Sequence, residues 1–286
     1  MIQPEALLPI IIMAVAGILA GLISIYTWKW RNAPGGLHFV LMMAAVAIFA
    51  VMDSFEAAAM TIPAKIMWAK VSYLGVVSIS PLWLMFAINY SQLKNWLTPA
   101  RVAALWILPL VILCLAATNE WHYFIWNSFT PVSPLPGARL IFGHGLGVWI
   151  HAAYAYALLL SGSYLLIQTA RRSSRLHRRQ IGLVVIAALI PLSGNLLYIS
   201  NLNPWPGLDI TPITFVLTGL LMAGSLYKFQ LFDLRPVAYE VVFDSIGDGV
   251  VVLDNRNRLA AFNPTSRRWL CLDDDAVGRN IFDILP

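Results

Sequence analysis

Charge is scarce in this sequence, and cysteine is almost missing. Only 12% of its 286 residues are Asp, Glu, Lys or Arg, against about 25% in an ordinary soluble domain. A chain with so few charged side chains cannot keep a polar surface around an aqueous globule of this length. The two cysteines, Cys114 inside an apolar run and Cys271 near the C-terminus, exclude a disulfide framework and a thiolate metal centre. His122, His144 and His151 lack the spacing of metal ligands, so no metal and no other cofactor is expected. The first apolar stretch opens on the acidic Glu5, with no Lys/Arg segment ahead of it and no small-residue cleavage site after it. It reads as a retained span, not a secretory leader.

What the chain has in abundance is apolar sequence: 59% hydrophobic residues and a mean hydropathy of +0.72. Seven apolar runs follow one another, at about Ala6–Trp28, Leu37–Met60, Ile66–Tyr90, Val102–Thr118, Gly147–Ala170, Ile181–Asn201 and Ile210–Tyr227. Each is roughly the 17–25 residues that a helix needs to cross a bilayer. The expected fold class is therefore an all-α membrane protein, a seven-transmembrane helix bundle in the plasma (inner) membrane. Basic residues orient it. Arg171–Arg179 carries five arginines, and with Lys29, Arg31, Lys94 and Arg101 the loops after the first, third and fifth runs hold nine basic residues, whereas the opposite loops hold only Lys65 and Arg139. Short-loop Lys/Arg bias fixes topology because guanidinium groups cross hydrocarbon at high cost. The N-terminus is expected outside and the C-terminus in the cytoplasm. The net charge of +5 then belongs to cytoplasmic loops and does not argue for nucleic acid. Tryptophans gather at run ends as interfacial anchors: Trp28, Trp30 and Trp96 inside, Trp121, Trp126, Trp149 and Trp205 outside.

Ionisable groups inside a bilayer are costly and mark functional interiors. Here they recur at one depth. Asp53 and Glu56 share a face of the second run; Trp68, Lys70 and Tyr73 lie near the outer end of the third; His151 and Tyr154 share a face of the fifth; Asn195 and Tyr198 line the sixth with Pro191; Asp209 and Thr211 open the seventh, ahead of Thr214 and Thr218. With Asn119 and His122 from the long outer loop, these residues form a candidate ligand pocket in the outer half of the bundle. Two carboxylates, one ammonium and several rings suit a small amphipathic, cationic or lipid-like ligand. The alternative is structural: Lys70 neutralises Glu56 or Asp53, while Asn195 and the threonines tie kinked helices together. Pro81, Pro109, Pro191 and Pro212 within the runs predict kinks. Gly17 and Gly21 form a small-xxx-small pair, either a contact inside the bundle or a dimer seam. The outer loop 119–146, aromatic and rich in Pro and Gly, either folds over the bundle as a lid or rests its rings among headgroups.

After Tyr227 charges return. Tyr239–Phe243 reads as part of a short connecting helix, Ile246–Asp254 as a turn into a buried strand, Asn255–Arg258 as a turn, Leu259–Phe262 as a second strand and Pro264–Leu270 as a helix. The segments Asp248–Asp254, Arg258 and Ala261–Pro264 resemble the opening of a PAS domain, and Gly278–Phe282 with Leu285-Pro286 resembles the part after its early helices. Upstream, Trp68–Gly75, Pro81–Ala87, Thr118–His122, Pro191–Tyr198 and Gly207–Pro212 resemble the N-terminal seven-helix sensor region of bacterial histidine kinases. The resemblance implies a seven-transmembrane sensor domain at residues 1–228, a connector helix at 229–243 and the N-terminal part of a cytoplasmic α/β PAS domain at 244–286. It further implies a homodimer, downstream kinase domains and a response regulator as partners, and no nucleic acid.

No catalytic residues are expected in this stretch: it shows no phosphoacceptor-histidine helix, no ATP-binding glycine box and no Gly-Gly-Asp-Glu-Phe signature. The expectation is a non-catalytic input module of a sensor histidine kinase, with a diguanylate cyclase output as the alternative. A transporter or channel is less favoured, because an inverted repeat is missing. A retinal photoreceptor needs a lysine in the middle of the last run, and the region around Gly219 has none. Lys228 sits at its cytoplasmic end.

Overall fold

The computed structural model describes residues 4–171, 175–200, 208–229 and 242–284. The chain divides into two units, Met1–Phe232 and Asp233–Pro286. Unit 1 is helical: α1 (Pro4–Thr27), α2 (Gly36–Ala58), α3 (Ile62–Tyr90), α4 (Pro99–Ala117), α5 (Leu146–Arg171), α6 (Arg175–Ile199) and α7 (Thr211–Phe229). The first six are long and apolar enough to cross a membrane, whereas α7 is a shorter apolar helix over Thr211–Gly224.

The order of packing differs from the order in sequence. α1 lies on α2 and α2 on α3; α3 then meets α5, α5 meets α6, α6 meets α7, and α7 returns to α1. Six helices thus close a ring, and α4 packs outside it against α3 and α5. That place explains the surface of α4: Ile107, Leu110 and Val111 stay exposed, as apolar side chains do where the surroundings are lipid and not water. Close approach in the ring depends on small residues. A Cβ at Gly17 would stand 2.5 Å from the Val51 side chain, and one at Gly75 would run into the Ala45 carbonyl of α2. Gly17 therefore serves the α1–α2 contact inside the bundle.

Helix ends follow from their caps. The Thr61 and Thr98 side chains accept from the Ala64 and Arg101 amides at 3.4 Å, each with a proline in the first turn, where proline sacrifices no hydrogen bond. Because α3 begins at Ile62 and not Ile66, Lys65 belongs to its first turn and is 2% exposed, instead of lying in a loop. Pro81, Pro109 and Pro191 do sit inside helices. Pro212 occupies the first turn of α7, so it introduces no break in the ladder.

The loop after α4 contains structure that apolar periodicity does not reveal. After a 3-10 turn at Asn119–Trp121, strands β1 (Trp126–Pro131) and β2 (Leu140–His144) pair antiparallel, with Phe129 opposite Phe142 and a bulge between Trp126 and Ser128. Trp126, Phe129 and Phe142 pack ring on ring at centroid distances of 5.5–6.5 Å. At the other end of the bundle Phe39, Phe86, Met42 and Met43 are fully buried, with Phe86 between Trp83 and Tyr90 at 5.6 and 5.7 Å.

Unit 2 contains β3 (Val251–Leu253) antiparallel to β4 (Leu259–Phe262), followed by α8 (Pro264–Leu270). The turn between the strands places Asn257 at φ 57 and closes with the Asp254 amide donating to Arg258. β3 is half-buried with Leu253 exposed, where a buried strand was expected. Leu259, Leu272, Ala276 and Ile281 form the core. Most of the connector expected at 229–243 lies outside the described residues, as do Leu285-Pro286, Arg172–Ser174 and Trp205.

Candidate functional site

Six helices in a ring leave a gap where large and small residues alternate on facing surfaces, and here that gap is a cavity of about 180 Å³. Its walls are largely apolar: Met13 of α1, Met42 and Phe49 of α2, Val76, Ile79 and Trp83 of α3, Leu159 of α5, Ala188 of α6 and Phe215 of α7. The β1–β2 hairpin contributes Trp126, Arg139, Phe142 and His144. The hairpin rings meet helix rings there, Trp126 edge-on to Tyr73 at 5.1 Å and His144 edge-on to Tyr198 at 5.4 Å. Part of the outer loop therefore lies over the cavity.

Of the sequence-predicted residues, the fold brings Asp53, Glu56, Tyr73, His151, Asn195, Tyr198, Asp209 and Thr211 to this one cavity. The spacing of three between Asp53 and Glu56 puts both on the inner face of α2. Asn195 accepts from the Tyr156 hydroxyl at 2.8 Å, joining α6 to α5. Asp209 precedes α7 and its Oδ1 accepts from the Thr211 amide at 2.8 Å. Burial pushes the Asp209 carboxyl up to about 6, with the nearby Thr211 hydroxyl and the hydrogen bond from its amide opposing the rise. Burial also holds His144 below its ordinary value, opposed by a hydrogen bond to the Ile199 backbone.

The other predicted residues are engaged elsewhere. Lys70 pairs with Glu120 at 2.5 Å and donates to the Ala117 carbonyl at 2.8 Å, so it neutralises neither Asp53 nor Glu56. That role falls to Lys65, whose Nζ stands 3.5 Å from Glu56 Oε1. Trp68 packs on Phe55 at 4.8 Å. Tyr154 donates to the Leu105 carbonyl of α4 at 2.6 Å. His122 is exposed, with its ring between the Thr118 hydroxyl and the Phe124 amide. Asn119, 1% exposed, seats the hairpin: its Oδ1 accepts from the Ile125 and Trp126 amides at 3.0 Å and its Nδ2 donates to the Trp126 carbonyl at 2.9 Å. Sequence reasoning passed over Arg139, Tyr156 and Ser80 as pocket residues. Arg139 counted as a loop charge.

Buried polar atoms that make no hydrogen bond gather mostly around the same space. Among the described residues six buried side-chain atoms make no hydrogen bond, Glu56 Oε1, Ser80 Oγ, His144 Nε2, His151 Nδ1, Ser163 Oγ and Thr211 Oγ1, and all of these residues but Ser163 line the cavity. The Thr211 hydroxyl faces Asp209 without completing a bond. Buried polar groups are nearly always satisfied, so a set of unsatisfied ones around one void is a set of positions for a ligand or for water. Among the described residues no group of three or more His, Cys, Asp or Glu stands together to hold a metal ion.

Six membrane-length helices, five of them in a ring that α7 closes around a largely apolar cavity, define a multi-pass membrane helix bundle. The family described as the N-terminal 7TM region of histidine kinase matches residues 12–236; the chain belongs to that family, as the input region of a sensor histidine kinase. It is also similar to two proteins named "Probable C4-dicarboxylate sensor kinase", one from Halalkalibacterium halodurans at 29% identity over 38% of this chain, one from Bacillus subtilis at 28% over 37%. The matched stretch spans 22% and 21% of those proteins' own lengths.

Proposed function

We propose that this chain detects a small molecule in the cavity between α1–α3 and α5–α7 and passes occupancy through α7, as a seventh span, to a cytoplasmic PAS segment and a dimeric histidine kinase that phosphorylates a response regulator. The single observation that carries the reading is that five of the six buried polar atoms without a hydrogen bond lie around one largely apolar void. Buried groups of this kind each cost on the order of 1–3 kcal/mol, a cost that a matched ligand removes. With the basic loops in the cytoplasm, the hairpin end of the bundle faces outward and the cavity opens to molecules from outside.

The dicarboxylate in the relatives' names is not carried over. Asp53, Glu56 and Asp209 all line the cavity, and a dianion placed among them is repelled. Two tests bear on the proposal. A reporter fused after Arg175 should be cytoplasmic and one near Pro134 external; a periplasmic signal from the first removes the orientation. Asn195→Ala and Asp53→Asn should abolish the response while the protein still inserts. Normal signalling from both variants removes the pocket.

A further inference from the structure

Lys70, which the sequence offers as partner to the cavity carboxylates, is committed elsewhere, and Lys65 serves only one of them. Lys65 holds Glu56 from the first turn of α3, and Lys70 turns outward to Glu120. That leaves Asp53 and Asp209 with no ion pair among the described residues, although both face the cavity. The two carboxylates sit close enough to repel each other, and Tyr73 and Tyr198 stand beside both. The one other fixed charge in the lining is Arg139. With all three carboxylates ionised, Asp53, Glu56 and Asp209 against Lys65 and Arg139 leave a single negative charge at the site. Burial lowers His144 and so favours its neutral ring.

We infer that the ligand is a singly charged organic ammonium whose head lies between Asp53 and Asp209 against the rings of Tyr73 and Tyr198, with an apolar body running along Met42, Phe49 and Trp83. The inference rests on the pocket reading above and names the class of its ligand. Carboxylates with no ion pair in a low-dielectric site either hold a proton or bind a cation, and aromatic faces around a carboxylate add cation–π attraction to a bound cation. The size is consistent: at about 10–15 Å³ for each water-sized volume, a void of about 180 Å³ holds about 12–18 such volumes, room for a small organic molecule.

The test uses three compounds of nearly one shape, phenethylammonium, 2-phenylethanol and 3-phenylpropionate, added to the chain in lipid nanodiscs. Binding is read by the fluorescence of Trp83 and Trp126, which line the cavity, and by thermal stabilisation. Phenethylammonium should bind at least about tenfold more tightly than either isostere, as a charge-assisted contact requires. Asp53→Asn and Asp209→Asn should each remove that preference and leave 2-phenylethanol binding unchanged. Should either variant fail to fold, the ranking of the three compounds on the unaltered chain decides alone. If the alcohol or the carboxylate binds as tightly as the amine, and Ala155→Phe abolishes its binding, the ammonium assignment is overturned while the pocket stands. If none of the three binds, both are overturned.

Discussion

Lys65 Nζ donates to the Glu56 carbonyl at 2.8 Å while it stands 3.5 Å from the same residue's Oε1. One ammonium thus closes the α2–α3 turn through both backbone and side chain, with a further bond to the Ala57 carbonyl at 3.3 Å. Lys65→Met should strand Glu56 as an unpaired carboxylate and cost about 3 kcal/mol, because breaking a buried pair costs more than the pair is worth. Lys65→Met with Glu56→Leu should recover most of that. Thermal unfolding of the three forms in detergent checks the order; equal loss in the single and double variants contradicts it.

Asn119 ties three backbone groups of the hairpin entry to the end of α4. Asn119→Ala leaves them unsatisfied and should destabilise the hairpin by on the order of 3 kcal/mol. Asn119→Asp keeps the acceptor but loses the donor to Trp126, so an intermediate loss is expected. Limited proteolysis within 127–140 is the measurement, with cleavage rising in the order Asn, Asp, Ala.

The Lys70–Glu120 pair is half in water, with Glu120 56% exposed, so Lys70→Ala should cost under about 1 kcal/mol. The hydrogen bond from Lys70 lowers the Glu120 carboxyl below the usual carboxylate range. A lowered folded value means that the contribution is present at neutral pH and is lost as pH falls through that range. Lys70→Ala and the parent chain should therefore converge in stability below pH ~4; a difference that persists there assigns Lys70 a packing role.

Asp209 has the opposite sign. Burial raises it to about 6, so in the empty protein its ionisation opposes folding: stability is greatest below the ordinary carboxylate value and falls as pH rises through about 6. Binding of an ammonium needs the ionised form, so affinity for phenethylammonium should weaken as pH falls from 7 to 5, with Asp53 and Glu56 as the neighbouring carboxylates and Arg139 and His144 as the facing bases. Titration calorimetry at both pH values in two buffers reads the linked proton. Asp209→Asn should flatten both dependences.

In unit 2, Asn263 is fully buried. Its Oδ1 accepts from the Val250 and Ser266 amides at 2.9 Å, and its Nδ2 donates to the Asp248 carbonyl at 2.8 Å. It caps α8 and anchors the chain ahead of β3 together. Asn263→Ala should speed hydrogen exchange at Val250 and Ser266 and leave amides of unit 1 unchanged. Unchanged exchange at both positions excludes the anchoring role.

Spacing alone determined which faces carry the polar residues. A period of 3.6 puts Asp53 with Glu56, and Asn195 with Tyr198, on common faces whatever the neighbours are, and apolar run length located the helices because a bilayer admits few alternatives. The turn at 255–258 and the strand at Leu259–Phe262 were legible for a similar reason, since turn chemistry and alternation are local. What only the tertiary structure decided was pairing. Lys65 and Lys70 are five residues apart on one helix, and no local rule says which of them meets Glu56. The answer depends on where α3 begins and on Glu120, fifty residues away, arriving beside Lys70. The hairpin over the cavity was hidden for the same cause: Trp126, Phe142 and His144 acquire a role from what they pack against, and contacts between distant segments leave no period in the sequence.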